Sequence, residues 1–175
     1  MPATNSPDQT AAVRIRAGDV SNEHDRTAAI ELLNHYASGL AGRKRPLAES
    51  VISTLNKDLP RLSNCRLFLA EVGDRPVGTA LCFVGYSTFK GAPLLNIHDL
   101  AVHTDYQRRG IGSGLLTAVV EYAREQQFCD VTLEVQASNP ARQLYARCGF
   151  QVLDGAVDSR ATLFGKLALD EAPGS

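Results

Sequence analysis

A strand, a periodic helix and a second strand follow one another in the middle of the chain, and this succession constrains the fold most. Residues 94–102 have the pattern of a long strand, and residues 131–135 alternate apolar with polar side chains, which is typical of a strand. Two strands joined through a helix pair in parallel, so the segment predicts one βαβ crossover. The apolar side chains between the strands recur along one helix face, at Ile111, Leu115, Ala118, Val119 and Tyr122.

The segments before the crossover predict antiparallel pairing. They are, in order, a strand at 13–16, a helix capped by Asp19 or Ser21 and ended by Gly39 and Gly42, a helix at 46–59, and strands at 66–72 and 76–84. The turn-forming residues 73–75 between the last two strands indicate a hairpin.

The segments after the crossover are short. Asn139 and Pro140 form a helix start, with a capping side chain first and proline in the first turn, and Gly149 ends that helix. Residues 150–153 and 161–167 finish as two strands. The sequence therefore predicts one mixed α/β (α+β) domain over residues 11–170, after a disordered polar tail at residues 1–10.

Composition narrows the class of protein. The 175 residues carry a formal net charge of -1, which argues against nucleic-acid binding driven by bulk positive charge. No apolar run is long enough to cross a bilayer, and the polar N-terminus lacks the apolar stretch of a secretory signal. The four cysteines form no CxxC pair that would suggest a metal. We therefore expect a cytoplasmic protein with no metal, no nucleic-acid partner and no membrane partner.

The turn between the long strand and the periodic helix has the properties of an anion site. Gly110 and Gly112 keep side chains away from the first helical amides, which have no partner inside the helix. Arg108 and Arg109 add positive charge, and Ser113 adds a hydroxyl. The turn is neither a GxGxxG dinucleotide fingerprint nor a Walker loop. Two glycines alone are also compatible with a simple tight connection.

Three segments resemble the GNAT family of N-acetyltransferases. Residues 107–112, Gln-Arg-Arg-Gly-Ile-Gly, match the family's Q/R-x-x-G-x-G/A signature, and residues 97–102 are similar to the strand before it. Residues 139–150 resemble the family's Asn…Leu-Tyr-x-x-x-Gly-Phe segment. The resemblance covers about residues 94–153. It implies the GNAT fold, a mostly antiparallel sheet of six to seven strands with a splayed parallel pair and about four flanking helices.

The resemblance also implies acetyl-CoA as co-substrate and assigns the residues that hold it. The backbone of Leu100, Ala101 and Val102 would bind the pantetheine arm as an added strand does. Asn139 would contact the arm from the opposite strand. The pyrophosphate would lie on the signature turn, formed by Gln107, Arg108, Arg109, Gly110, Ile111, Gly112 and Ser113.

The implied reaction is attack of an amine on the thioester, which requires help for the leaving thiolate and removal of a proton. Tyr145 lies at the family's tyrosine position and is the expected general acid, although a tyrosine at helical spacing is also a common core residue. The amide of Val102 is the expected oxyanion donor. His98 is a candidate base because imidazole titrates near neutrality, and a structural histidine is the alternative. Alternation along the strand predicts that His98 and Asp99 point to opposite faces.

The identity of the acceptor is less constrained. Residues 86–89, 98–99 and 105–106 look similar to the diamine and polyamine acetyltransferase branch, which carries Glu-Asp where this chain has His98 and Asp99. The first interpretation is a primary amine of a small molecule. The alternatives are a protein N-terminus or lysine, and a non-catalytic acyl-CoA-binding module. Similar proteins are often homodimers, so a dimer is a further expectation.

Overall fold

Seven strands and four helices make up the computed structural model, which describes residues 12–39, 42, 44–152, 158 and 161–169. The strands are Val13–Gly18 (β1), Cys65–Val72 (β2), Arg75–Ser87 (β3), Ala92–Val102 (β4), Asp130–Gln136 (β5), Gln151–Val152 (β6) and Thr162–Ala168 (β7). The helices are Glu23–Ser38 (α1), Glu49–Asp58 (α2), Ile111–Glu125 (α3) and Arg142–Arg147 (α4). The expected tail at 1–10, both ends of the expected domain at 11 and 170, and position 153 of the expected strand lie outside the described residues.

The strands form one mixed sheet in the order β1-β2-β3-β4-β5-β7-β6. All neighbours are antiparallel except β4 and β5, which α3 joins in parallel. The fold class expected from the sequence is confirmed. β4 pairs with β5 only over Leu95–Ile97, whereas its pairing with β3 continues to Val102. Beyond Ile97 the two parallel strands therefore separate, and no strand of the described residues pairs with that edge of β4, which we call its unpaired edge.

Helices cover both faces of the sheet. Leu115 and Val119 of α3 are fully buried against the strands on one face, where Tyr145 of α4 also packs. Ile30 and Leu33 of α1 pack on the other face, with α2 alongside. Within the described residues, no helix is both long and apolar enough to span a bilayer.

Two helix starts differ from the sequence-based expectation. α1 is capped by Asn22, whose side chain accepts from the Asp25 amide, because Asp19 instead accepts from the amide and hydroxyl of Ser21 in a local turn. α4 begins at Arg142, since the Asn139 side chain accepts from the Ala141 amide at 2.9 Å and forms a turn before the helix. The expected helix at 46–59 begins three residues later, at Glu49.

Candidate functional site

A cavity of about 630 Å³ opens where β4 and β5 separate. It lies between the unpaired edge of β4, the start of α3 and the side of α4. Most of the residues expected to bind the cofactor or act in catalysis line it: Leu100, Val102, Gln107, Arg108, Gly110, Ile111, Gly112, Ser113, Asn139 and Tyr145. His98, Ala101 and Arg109 are outside this lining.

The backbone of β4 presents alternate residues to the cavity. The His103 amide donates to the Val77 carbonyl on β3 at 2.9 Å, so the backbone groups of Ala101 also point toward β3. Those of Leu100 and Val102 point to the unpaired edge. Ala101, 2% exposed, packs its side chain under α1. The expected role of the Ala101 backbone is therefore wrong, because Ala101 pairs with Thr79 inside the sheet.

The first turn of α3 holds a row of backbone amides that have no partner inside the helix. Gly110 precedes the helix with φ +79°, and no side chain caps it. The first helical hydrogen bond runs from the Gly114 amide to the Gly110 carbonyl, so the amides of Ile111, Gly112 and Ser113 lie in the unpaired first turn. The helix dipole adds partial positive charge at the same point.

Basic side chains and a close helix contact complete this anion site. Arg108 lines the cavity from the loop and Arg147 lines it from α4, so a diphosphate fits the charge and the donors present. A Cβ on Gly112 would lie 3.0 Å from Leu144 Cδ2. Glycine at 112 therefore lets α3 approach α4, in addition to exposing the amides. We name residues 107–110, with the first turn of α3, the phosphate loop.

Arg109 does not reach the cavity. Its guanidinium lies 4.9 Å from the ring centre of Tyr106 and donates to the Asp105 carbonyl at 3.3 Å. Tyr106 itself is buried and lines the cavity. The Arg109 guanidinium therefore supports the wall of the cavity through Tyr106, and the expected contact of the Arg109 backbone amide with the pyrophosphate stays a prediction.

Tyr145 of α4 lines the cavity from the α3 face of the sheet. It is 8% exposed and its ring packs edge-on to Phe150. Burial raises the pKa of Tyr145 to about 12, and the nearby phenol of Tyr36 and carboxyl of Asp99 act in the same direction. Tyr36 comes from α1, which packs on the opposite face of the sheet, yet it lines the same cavity. The cavity therefore extends through the gap toward the α1 face.

A β-bulge changes the orientation of the two candidate base residues. Leu81 pairs with Asp99 and Cys82 pairs with Ile97, so His98 is an extra residue in β4. Asp99 faces α1 with Leu81, and the His98 ring packs against Phe83 on that face. His98 Nδ1 lies 3.1 Å from Asp99 Oδ2. The expectation of opposite faces is wrong, because it assumed a regular strand.

Sequence reasoning missed several lining residues. Pro140, Ala141, Gln143, Leu144 and Arg147 lie in the segment that carried the resemblance, so helix geometry around Tyr145 could have suggested them. Tyr36 had no such signal, because only the packing of α1 brings it to the cavity. Among the described residues, no group of three or more His, Cys, Asp or Glu side chains is arranged to hold a metal ion.

Comparisons with known proteins agree with this geometry. Residues 28–150 match the model of the acetyltransferase (GNAT) family. Streptothricin acetyltransferase A of Bacillus subtilis is 42% identical over 64 residues, which are 36% of each chain. The N-alpha-acetyltransferase of Sulfurisphaera tokodaii is 37% identical over 92 residues, 48% of this chain and 55% of that protein. The chain thus spans about a third to about half of the length of the curated relatives it matches.

A solved structure extends the agreement to nearly the whole fold. The PaiA N-acetyltransferase from Thermoplasma acidophilum, in complex with coenzyme A, superposes with a TM-score of 0.63 and covers 90% of this chain and 99% of its own. Its sequence identity is 14%, so this likeness concerns the fold alone. The match over residues 28–150 decides the classification: the chain belongs to the acetyltransferase (GNAT) family.

Proposed function

We propose that this chain binds acetyl-CoA in the cavity between β4 and β5 and transfers its acetyl group to a primary amine. One observation carries the proposal. A single cavity is lined by the phosphate loop, by the unpaired edge of β4 and by the phenol ring of Tyr145. In this arrangement the pyrophosphate lies on the first amides of α3 beside Arg108, and the pantetheine arm extends along Leu100 and Val102.

The proposed reaction forms an N–C bond and breaks the C–S bond of the thioester. The acetyl carbonyl lies near the Val102 amide, which points to the open edge and donates to the developing oxyanion. The amine loses one proton, and the departing sulfur gains electron density beside Tyr145. The residues of this chain therefore orient the thioester, stabilise two developing negative charges and accept one proton.

Tyr145 acts on the sulfur as a hydrogen-bond donor more than as a full proton donor. A thiol has a pKa of about 8.5, whereas burial raises the pKa of Tyr145 to about 12. Complete transfer to the thiolate is uphill by about 3.5 pKa units, roughly 5 kcal/mol. A charge-assisted hydrogen bond needs no such transfer and contributes about 1.5–3 kcal/mol. This refines the sequence-based expectation of a general acid.

The amine approaches from the α1 face in this proposal. Asp99 and His98 lie on that face, and Glu134 joins them there, with its Oε2 3.5 Å from the amide nitrogen of Asn96. Each of these three can accept a proton, directly or through one water. His98 is our first candidate for the base, because Asp99 Oδ2 lies 3.1 Å from its Nδ1 and can orient the ring so that the other nitrogen accepts the proton.

A small-molecule amine is the proposed acceptor, supported by the similarity to streptothricin acetyltransferase A. A protein N-terminus is the second candidate, supported by the similarity to an N-alpha-acetyltransferase. Thiol release from acetyl-CoA should be measured with two panels: aminoglycosides and polyamines, and short peptides with a free or blocked N-terminus. Faster turnover of the first panel supports the small-molecule acceptor. Turnover of unblocked peptides alone would replace it, and acetyl-CoA binding without turnover would indicate a non-catalytic module.

A further inference from the structure

Two histidines from distant parts of the chain stack beside the phosphate loop. His35 comes from the last turn of α1, and His103 follows directly after β4. Their ring centroids lie 4.1 Å apart and their planes are 12° from parallel. His103 is also edge-on to Tyr106, which lines the cavity. The pair therefore joins the helix that carries Tyr36 to the segment that leads into the phosphate loop.

Each imidazole accepts a hydrogen bond from a backbone amide of that segment. The Thr104 amide donates to His35 Nε2 at 3.3 Å, and the Asp105 amide donates to His103 Nδ1 at 3.4 Å. A backbone N–H can only donate, so neither accepting nitrogen carries a proton in this geometry. The two rings are therefore neutral, and together they cap the one-turn 3-10 helix Thr104–Tyr106.

Protonation of the pair removes both caps. A protonated imidazole is a donor at both nitrogens, so neither nitrogen can keep its bond from the backbone N–H. His35 Nε2 would donate to Thr104 Oγ1 at 3.2 Å instead, and His103 Nδ1 would turn toward Asp105 Oδ2, which lies 3.7 Å away. Two cationic rings 4.1 Å apart also repel each other. Loss of the two backbone hydrogen bonds and repulsion between the rings therefore both shift the helix Thr104–Tyr106 relative to the pair.

Charged groups around the pair act in both directions. Asp105, with its carboxylate 3.7 Å from His103 Nδ1, attracts a cationic ring, and Glu31, one turn before His35 on α1, does the same. Arg75 of β3 repels it. The balance at His103 favours the neutral form: burial lowers its pKa, and His35 and Arg75 add to this against Asp105.

The capped helix positions the phosphate loop directly. The Gln107 amide donates to the Thr104 carbonyl at 3.3 Å, and Arg109 donates to the Asp105 carbonyl at 3.3 Å. The Gln107 side chain donates to the Val102 carbonyl at 3.1 Å, which ties the loop to the cavity edge of β4. A shift of the helix therefore moves the amides that face the cavity.

We propose that the neutral His35–His103 pair positions the phosphate loop, and that protonation of the pair at mildly acidic pH weakens acetyl-CoA binding. The proposal rests on acetyl-CoA binding in the cavity. The two histidines lie outside the cavity lining, and through them the affinity for acetyl-CoA would depend on pH.

Calorimetric titration with acetyl-CoA at about pH 8 and about pH 5 tests whether the histidine pair makes binding depend on pH. The variant His35→Gln/His103→Asn offers amide oxygens that accept the same hydrogen bonds without titrating in this range. The control His24→Gln removes an exposed histidine elsewhere on α1. Every protein meets the same ligand in the same buffer, so titration of the ligand's own phosphates cancels between proteins.

When the pH is lowered from about 8 to about 5, we expect the acetyl-CoA affinity of wild type and of His24→Gln to fall about fivefold further than that of the double variant. A factor of about five corresponds to the loss of one ordinary hydrogen bond. An equal loss in all three folded proteins overturns the inference and leaves the proposed function standing. Absence of acetyl-CoA binding by wild type at about pH 8 overturns both. Circular dichroism checks folding at each pH, and His103→Asn alone carries the same comparison should the double variant not fold.

Discussion

Removing one buried carboxylate should destabilise the fold by an amount that depends on pH. Arg16 of β1 lies between Asp25 of α1 and Glu71 of β2, with Nη2 2.7 Å from an oxygen of each carboxylate. Both carboxylates are buried. This network fixes the start of α1, the helix that brings Tyr36 to the cavity. The perturbation is Asp25→Asn, which removes one charge and nearly no volume.

The structure sets the size of the effect. The hydrogen bond from Arg16 is the main reason that the pKa of Asp25 falls from 3.8 to about 2. The fall of the pKa from 3.8 to about 2 corresponds to roughly 2.5 kcal/mol of stability at neutral pH. Removal of one partner usually costs more when it leaves a buried charge alone. Here Arg16 keeps Glu71, so the smaller figure applies.

The sign of the pH dependence follows from the lowered pKa. An unfolded chain takes up the Asp25 proton near pH 3.8, whereas the folded chain resists until about pH 2. The stabilisation is therefore complete above pH 3.8 and is lost as the pH falls to about 2. The difference in stability between wild type and Asp25→Asn should shrink to about half near pH 3.

Urea unfolding followed by circular dichroism at about pH 7 and about pH 3 measures both quantities. Asp74→Asn, on the exposed turn of the β2–β3 hairpin, removes the same charge outside the network and should change stability by less than about 0.5 kcal/mol. A difference for Asp25→Asn that is as large at pH 3 as at pH 7 would refute the electrostatic account and point to helix capping or packing instead.

Three further predictions concern the site itself. Gly112→Val should lower the affinity for acetyl-CoA at least about tenfold in a folded protein, because the new side chain would press on Leu144. In Gly110→Ala the new methyl group meets open space, so this variant should lose only about 1 kcal/mol of stability through the positive φ at position 110. Equal acetyl-CoA affinities of Gly112→Val and wild type in calorimetry would contradict this prediction. Tyr145→Phe should lower kcat about 10- to 100-fold with little change in acetyl-CoA affinity, and unchanged kcat would make Tyr145 a packing residue. If His98 is the base, His98→Ala and His98→Gln should both lose the lower inflection of the kcat/KM profile against pH, and retention of the wild-type profile in both would exclude His98.

Local patterns predicted most of the fold because they depend on neighbours in sequence. The strand, helix and strand of the crossover begin and end within a few residues of the expected positions, since an amphipathic period and flanking glycines mark them. The predicted N-cap of α1 was wrong because several residues could fill that position. Three polar residues precede the helix, and only the hydrogen bond between Asp19 and Ser21 leaves the capping role to Asn22.

Residues of the candidate site were likewise predictable only where they are neighbours in sequence. The phosphate loop was predictable because its residues are contiguous and its glycines and arginines have a direct physical role. His35 and Tyr36 were not, because they reach the site through the packing of α1 across the sheet. The contact between His35 and Thr104 joins residues 69 positions apart. No period or motif in a single sequence encodes such a pairing.

The bulge at His98 shows how one residue decides the chemistry of the site. Leu95 and Ile97 face α3, and strict alternation would place Asp99 and Ala101 on that side as well. The extra residue reverses the faces that follow, so that Leu100 and Val102 pack toward α3 and Ala101 packs toward α1. The same reversal turns Asp99 to the face of His98 and away from the apolar side of the cavity. Apolar residues thus lie against the proposed acetyl-CoA arm and titratable ones lie where the amine would enter, because β4 is irregular at this single position.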